Sequence, residues 1–298
     1  MKIANAPCSW GVLEFESGVQ YFDYTEVLNE MQAIGYRGTE LGDWGFMPTA
    51  PAQLRDELAA RELTLVGAFV PVPFVDRWAH QSGEAAAVQH ARLLVEAGFD
   101  KAFIVLSDDN VTVEERTENV GRIRPEHSLT QEQWDTFIAG VHRVAQSVRD
   151  EMGLRTVFHH HCAGYVETPS ELDTLMQRTD PNLVGLCFDT GHYRFGGGDP
   201  LDIFDKHGDR IWHVHFKDFD PEVAARIYNE DWSYNSAVTK GVFCELGKGD
   251  VDFPAFIAEL RSRNYDGWIV VEQDVLPGMG SPYESAKRNF QYLKSIGV

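Results

Sequence analysis

Acidic, histidine and lysine residues lie at the ends of several apolar segments of this sequence. Asp189 closes one apolar segment and Glu272 closes another, while a third contains His213, His215 and Lys217 at alternate positions. Alternation along a strand places these last three side chains on one face. Carboxylate and imidazole groups that converge at one place suit Mg²⁺, Mn²⁺, Co²⁺ or Zn²⁺ and leave positions open for water or substrate. The residues therefore predict a divalent metal that polarises a carbonyl group.

Each of these residues also has a structural interpretation. An aspartate such as Asp189 at the end of a strand often only caps the next helix, and histidines within strands are often hydrogen-bonded core residues. A fourth predicted strand favours the chemical interpretation. It ends in the run His159-His160-His161, and Glu167 follows shortly after it.

The elements that must position these residues alternate along the chain. Apolar segments typical of strands cover 2–6, 37–41, 64–70, 101–106, 155–161, 183–189, 211–217 and 268–273. Amphipathic segments typical of helices lie near 24–34, 51–61, 83–97, 131–152, 169–178, 200–207, 253–264 and 282–296. Eight such pairs predict an α/β fold, a single (β/α)8 TIM barrel over residues 1–298, with the strand ends meeting at the face where barrel enzymes carry their sites.

Two connections between the predicted elements are long. They cover residues 107–130 and 218–252, and we expect both to be loops at the functional face of the barrel. The second carries Tyr228, Trp232 and Tyr234 among charged residues. This composition suits a lid over the site or a contact with a second copy of the chain in a homo-oligomer.

Composition restricts the partners and the compartment. The 298 residues carry a formal net charge of −20, which repels nucleic acid and anionic membrane, so we expect neither as a partner. The four cysteines form no CxxC pair, and no apolar run approaches the ~18 residues of a membrane span. These features predict a cytoplasmic protein with a small-molecule substrate.

Several short motifs together resemble one family of barrels. They are Ala-Pro-Cys-Ser-Trp-Gly-Val at 6–12, Gly-Thr-Glu-Leu-Gly at 38–42, His-His-His at 159–161, Phe-Asp-Thr-Gly-His at 188–192, His-Val-His-Phe-Lys-Asp at 213–218, Glu-Leu-Gly-Lys-Gly at 245–249 and Val-Val-Glu-Gln-Asp at 270–274. Over nearly the whole chain the sequence resembles the xylose-isomerase-like barrels, the sugar phosphate isomerase/epimerase group.

The resemblance implies a metal site. Members of this family hold their metal with Glu, Asp, His and Glu from four successive strands, and the resemblance carries Asp189, His215 and Glu272 over directly. The position of the first glutamate is occupied here by the histidine run. We expect either His161 or Glu167 as the fourth ligand, with a preference for Glu167 because three oxygen ligands suit a hard ion.

Other residues are candidates for proton transfer and substrate binding. His192 and Lys217 lie beside the expected ligands and could act as acid and base, and a histidine of the run, His159, is a further candidate base. Glu40 could bind substrate hydroxyl groups or only precede a helix. Trp10 could stack on a sugar ring or belong to the core.

The resemblance also implies an activity. The opening motif and the triple histidine are similar to those of family members that dehydrate an inosose, a keto-cyclitol. In that reaction the metal holds the ketone and stabilises the enediolate that forms when the neighbouring proton leaves. The alternative is a ketose isomerase or epimerase that uses the same enediolate. The acidity of the chain disfavours a metal-dependent endonuclease of this fold, and the strand-end carboxylates disfavour a sugar-binding barrel without catalysis.

Overall fold

Eight parallel strands close into a barrel in the computed structural model, which describes residues 1–11 and 22–298. The barrel strands are β1 (Lys2–Asn5), β2 (Gly38–Glu40), β3 (Thr64–Val72), β4 (Phe103–Asp108), β5 (Arg155–His159), β6 (Val184–Asp189), β7 (Ile211–Phe216) and β10 (Trp268–Val271). Each strand pairs in parallel with the strands before and after it, and β10 pairs with β1. The predicted (β/α)8 TIM barrel is confirmed. Val12, at the end of the opening motif, lies outside the described residues.

Helices follow the strands. They are α1 (Tyr24–Ile34), α2 (Pro51–Ala59), α3 (His80–Glu96), α4 (Glu114–Glu118), α5 (Gln131–Met152), α6 (Pro169–Arg178), α7 (Thr190–Phe195), α8 (Ile203–His207), α9 (Pro221–Glu230), α10 (Tyr234–Thr239), α11 (Phe253–Ser262) and α12 (Pro282–Ser295). None of the helices in 1–11 and 22–298 has the length and apolar character that a bilayer crossing requires.

The apolar core follows from alternation along the strands. On β4, Ile104 and Leu106 belong to the large apolar cluster that also contains helix residues such as Val141, whereas Phe103 and Val105 form a separate small cluster with Cys187. Successive strand residues therefore pack alternately against the helices and into the barrel interior. Side chains at inward positions near the strand ends face the mouth of the barrel.

Local capping signals fix several helix boundaries. The Thr168 hydroxyl accepts from the Glu171 N–H, and the Glu171 carboxylate accepts from the Thr168 N–H, which is a capping box. Helix α6 then begins at Pro169, a residue that favours the first turn of a helix. Gly35 ends α1 with a φ of 114°, a conformation that glycine adopts without strain.

Two predicted strands end earlier than the sequence suggested. β5 ends at His159 rather than residue 161, because the chain turns and the N–H of His161 donates to the carbonyl of Val166 in the same loop. β10 ends at Val271, although the N–H of Glu272 still donates to Phe216 of β7.

Both long connections contribute residues to the cavity lining, as expected, but they are not loops throughout. The first contains α4, and the second contains α9, α10 and a small antiparallel sheet formed by β8 (Asp218–Phe219) and β9 (Phe243–Cys244). Asp220 caps α9 ahead of Pro221, and Ser233 caps α10, so the start signals were present in the sequence. α4 and α10 have only 5 and 6 residues, too few to show a repeating apolar pattern in the sequence.

Candidate active site at the mouth of the barrel

Four inward-facing side chains from neighbouring strand ends converge at the mouth. Ligand atoms of His159, Asp189, His215 and Glu272 all lie within 4.8 Å of one another. Strand register produces this grouping: Asp189 on β6 pairs with His215 on β7, and His159 on β5 pairs with Cys187, two residues before Asp189. Three of the four are buried, and Glu272 is partly buried.

Several ligand atoms of this group have no hydrogen-bond partner among the described residues. They are both ring nitrogens of His159, Oδ2 of Asp189 and Nδ1 of His215. His159 Nε2 lies 3.6 Å from Asp189 Oδ2, and His215 Nδ1 lies 3.2 Å from Glu272 Oε1. Buried polar atoms left without partners are costly unless an ion or water satisfies them. The four residues therefore fit a divalent cation held by two imidazoles and two carboxylates.

The electrostatics of the group are those of closely spaced buried charges. Burial, and then the neighbouring charge of His215, lower the pKa of His159 to about 3, so that the ring is neutral at pH 7. Burial raises the pKa of Glu272, but His215 and Lys217 outweigh it and hold the pKa well below the usual range. His159 and Glu272 are therefore in the forms that bind a metal. Burial lowers the pKa of His215, but Cys187, Glu272 and Glu40 outweigh it and raise the pKa well above its usual value, so this ring must release a proton when a metal binds.

Glu40 lies inside the barrel rather than at a helix entry. Its Oε1 accepts from Nε2 of His213 at 2.7 Å and from Nε2 of His215 at 3.0 Å. Burial raises the pKa of Glu40, but these two histidines outweigh burial and lower it to about 2. Glu40 also lines the cavity at the mouth, where a substrate would bind.

Lys217 lies beside the four-residue group. Its Nζ is 3.1 Å from Asp274 Oδ2 and 3.5 Å from Glu272 Oε2. Burial lowers the pKa of Lys217, but Asp274, Glu272 and Asp189 outweigh it, so the pKa lies well above its usual value and the ammonium is retained. Asp274 was not predicted from the sequence. Its position two residues after Glu272 was the signal that could have found it.

His161 and His192 lie next to each other, but only His161 lines the cavity. The Nδ1–H of His161 donates to the Cys162 carbonyl at 2.5 Å, and its Nε2 lies 3.4 Å from the hydroxyl of Tyr234 on α10. The Nδ1 of His192 accepts from the Cys162 N–H at 3.3 Å. His161 thus presents a ring nitrogen with a lone pair towards the cavity, whereas His192 packs behind it.

A cavity of about 470 Å³ lies over these groups. Its lining includes Glu40, His159, His161, His215, Lys217, Glu272 and Asp274. The rest of the lining is mixed: its polar residues are Asp43, Asp109, Asn110, Thr112 and Asn235, and its apolar residues include Ala6, Pro7, Phe69 and Val111. The volume falls in the range of small-molecule sites.

Two candidates from the sequence lie elsewhere. The carboxylate of Glu167 accepts from the N–H groups of Gly121 at 2.7 Å and Ala163 at 2.8 Å, so it joins two loops and is not part of the four-residue group. Trp10 is 1% exposed and its indole N–H donates to Glu30, so it packs in the core away from the cavity lining. The position that we expected Glu167 or His161 to fill is occupied by His159.

Comparison with known proteins finds similarity in sequence to one group of proteins and similarity in fold to another. The chain is 32% identical over 295 residues to the inosose dehydratase of Geobacillus kaustophilus (strain HTA426), covering 99% of this chain and 94% of that protein. Its fold is similar to that of the 3-keto-D-glucoside 4-epimerase YcjR from E. coli, with a TM-score of 0.69, 14% identity and 99% of each chain covered. It is also similar to the IOLI protein with a bound zinc atom, with a TM-score of 0.73, 12% identity and 99% and 98% of the two chains covered.

A family model extends over most of the sequence. The model of the xylose isomerase-like TIM barrel matches residues 28–296, which include every member of the four-residue group. Together with the closed barrel, this match shows that the chain belongs to the xylose isomerase-like TIM barrel family.

Proposed function

We propose that this enzyme is a metal-dependent hydro-lyase that removes water from an inosose such as 2-keto-myo-inositol. The observation that carries the proposal is the convergence of His159, Asp189, His215 and Glu272 beneath a cavity of about 470 Å³. A relative that this chain covers to 94% is an inosose dehydratase, and its identity of 32% extends over 99% of this chain.

The donor set indicates which ions suit the site. Two imidazoles and two carboxylates favour Mn²⁺, Co²⁺ or Zn²⁺ over Mg²⁺, which prefers a shell of oxygen atoms. The zinc atom in the structurally similar IOLI protein is consistent with this preference. When bound, such an ion would polarise a carbonyl group and stabilise the negative charge of an enediolate.

Lys217 and His161 are the groups that we assign to proton transfer. Lys217 holds a proton at Nζ, and the carboxylate of Asp274 at 3.1 Å keeps that ammonium in place. His161 presents Nε2 to the cavity with its lone pair, because its Nδ1–H is used by the Cys162 carbonyl. We infer that His161 accepts the proton next to the ketone and that Lys217 protonates the departing hydroxyl group.

The wider cavity suits a ring that carries many hydroxyl groups. Asp43, Asp109, Asn110 and Asn235 offer carboxylate and amide groups around its mouth. The amides can donate to and accept from hydroxyl groups, the carboxylates can accept from them, and together they fix a polyol in one orientation. We infer that they orient the cyclitol so that the reacting carbon faces His161.

An epimerase or isomerase acting on a keto sugar is the second candidate. It would form the same enediolate but return the proton to another face or carbon, and the structural similarity to a 3-keto-D-glucoside 4-epimerase favours it as the alternative.

An assay by mass separates the two reactions. The purified enzyme is loaded with Mn²⁺, Co²⁺ or Zn²⁺ and incubated with 2-keto-myo-inositol and with a panel of ketoses. A dehydratase yields a product lighter by one water, whereas an isomerase or epimerase yields a product of unchanged mass. Turnover of the ketoses alone, without loss of water from the inosose, would contradict the proposal.

Metal content tests the ligand assignment. We expect His159→Gln to weaken Mn²⁺ binding by at least ~10-fold, because it removes one of four ligands. The matched control is Glu167→Gln, which alters a buried carboxylate outside the group and should leave the Kd for Mn²⁺ unchanged. Loss of binding in the Glu167 variant alone, measured by calorimetry on metal-free protein, would show that the sequence-based preference was right.

A further inference from the structure

One carboxylate oxygen of Glu40 accepts hydrogen bonds from two histidines of the same strand. Its Oε1 lies 2.7 Å from Nε2 of His213 and 3.0 Å from Nε2 of His215. Glu40 ends β2, whereas both histidines lie on β7, and in the ring of strands β1 and β10 separate β2 from β7. The side chain therefore reaches across the barrel interior.

Gly67 provides the room for this carboxylate. It pairs with Glu40 in the register of β2 and β3, and a Cβ at this glycine would lie 2.9 Å from Glu40 Oε1. Any larger residue at position 67 would push against the carboxylate. The space beside Gly67 on β3 and the two histidine N–H groups on β7 together define the position of the Glu40 oxygen.

This contact has a consequence for the tautomer of His215. A carboxylate oxygen only accepts, so the Nε2 that faces Glu40 must carry the hydrogen. In the neutral ring the other nitrogen, Nδ1, then carries a lone pair, and Nδ1 lies 3.2 Å from Glu272 Oε1. Two acceptor atoms at that distance repel each other unless a proton or a cation lies between them.

We propose that Glu40 is a positioning residue for the metal centre, which holds Nε2–H of His215 and so makes Nδ1 of His215 the ligand atom. The proposal rests on the proposed function, because it assumes that the four-residue group binds a divalent ion. It assigns Glu40 a role in holding a ligand instead of the substrate-hydroxyl or helix-entry roles expected from the sequence. A carboxylate that orients a metal-binding histidine typically changes metal affinity by about 10- to 100-fold when it is removed.

Metal titration of variants tests this role without reference to turnover. Metal-free wild type and Glu40→Gln are titrated with Mn²⁺ by calorimetry, and we expect the Kd of the variant to rise about 10- to 100-fold. The variant Gly67→Ala keeps Glu40 but displaces its carboxylate, so its Kd should rise as well. In the double variant the two effects should not add, because both act through the same contact.

A buried carboxylate outside the site serves as the matched control. Glu171 forms an ion pair with Arg116 at 2.9 Å and is as buried as Glu40. Glu171→Gln should lower the Tm but leave the Kd for Mn²⁺ unchanged. A Kd in Glu40→Gln within about twofold of wild type would overturn the inference, as would an equal rise of the Kd in Glu171→Gln.

Nitrogen-15 NMR of the wild-type protein provides a test that needs no stable Glu40 variant. With Zn²⁺ bound, the ring of His215 should show a protonated Nε2 and a coordinated Nδ1, with the signals assigned by their loss in His215→Gln. Coordination through Nε2 would overturn this inference and leave the proposed function standing. A wild-type protein that binds no divalent ion in either experiment would overturn both.

Discussion

Lys217 illustrates how a single residue is defined by the carboxylates around it. Asp274 and Glu272 lie within 3.5 Å of its Nζ, and the side chain is 3% exposed. Thr190 fixes the backbone at this position, because its hydroxyl donates to the Lys217 carbonyl at 2.7 Å. The ammonium is therefore held in place by carboxylates at the edge of the cavity.

Replacing this residue should separate catalysis from folding. We expect Lys217→Met to lower kcat by roughly 10²- to 10⁴-fold, the usual contribution of general acid–base catalysis, while Mn²⁺ remains bound. Steady-state kinetics and the Tm are measured on the same preparations. The control Lys101→Met removes an ammonium whose side chain is 93% exposed and lies outside the cavity lining, so it should leave kcat unchanged. A lower Tm with near-normal kcat would show that Lys217 is structural.

At the scale of elements, the segment between β8 and β9 forms part of the mouth of the barrel. Trp232 and Tyr234 are buried in this segment, and Tyr234 of α10 lines the cavity. Arg122, in the other long connection, donates to Asp231 at 2.8 Å. The two long connections thus pack together on one side of the mouth. The side chain of Tyr228 lies outside the described part of the chain.

Shortening this segment tests whether it acts as a lid. Because β8 and β9 pair antiparallel, a short Gly/Ser bridge in place of residues 224–240 can close a hairpin between them. We expect the barrel to fold and to bind Mn²⁺, with a higher KM and a lower kcat, since water would then reach the site. Tyr234→Phe, which removes only the hydroxyl near His161, should have a smaller effect. Unchanged kinetics and an unchanged oligomeric state in the bridged variant would contradict the lid.

For the whole molecule, buried ionisable groups set the response to acid. Burial is the main cause that lowers the pKa of each of His159, His160 and His161 from 6.5 to about 3. Burial also raises the pKa of Glu167 from 4.5 to about 7 and that of Asp108 from 3.8 to about 6. These histidines make the folded protein less stable as the pH falls below 6.5, because their imidazoles take up protons in the unfolded chain but not in the folded one. The two carboxyl groups act in the opposite sense.

Together these pKa shifts predict a protein that loses stability in acid. Between about pH 6 and 4.5, proton uptake by these three histidines in the unfolded chain lowers the stability of the metal-free protein, and the two carboxyl groups reduce this loss. Below pH 4.5 the loss should steepen, because the carboxyl groups then take up protons in the unfolded chain too. Urea unfolding at several pH values with EDTA measures it, and Glu167→Gln should show a steeper loss between pH 6 and 4.5. Stability that rises on acidification would contradict the assignment.

The same unfolding experiment bears on domain organisation. We infer that residues 1–298 form one domain, because the first and last barrel strands, β1 and β10, pair directly and close the ring. A single cooperative transition agrees with this inference, whereas two separate transitions would contradict it.

The sequence by itself determined the features that depend on neighbours along the chain. Short apolar segments predicted the eight strands, and Thr168, Pro169 and Gly35 are residue types that favour helix ends, where the structure places them. The strand-end positions of Asp189 and Glu272 were enough to place both side chains at one mouth, because the carboxyl ends of parallel strands in a barrel share a face.

Only the tertiary structure decided which atoms meet. His159 and His161 share a face by alternation, but β5 ends at His159, so His159 joins the four-residue group and His161 faces α10. The contact of Glu40 with His213 and His215 joins residues more than 170 positions apart. Such contacts depend on the register and closure of the barrel, which set distances across its interior, and periodicity along one strand carries no information about that distance.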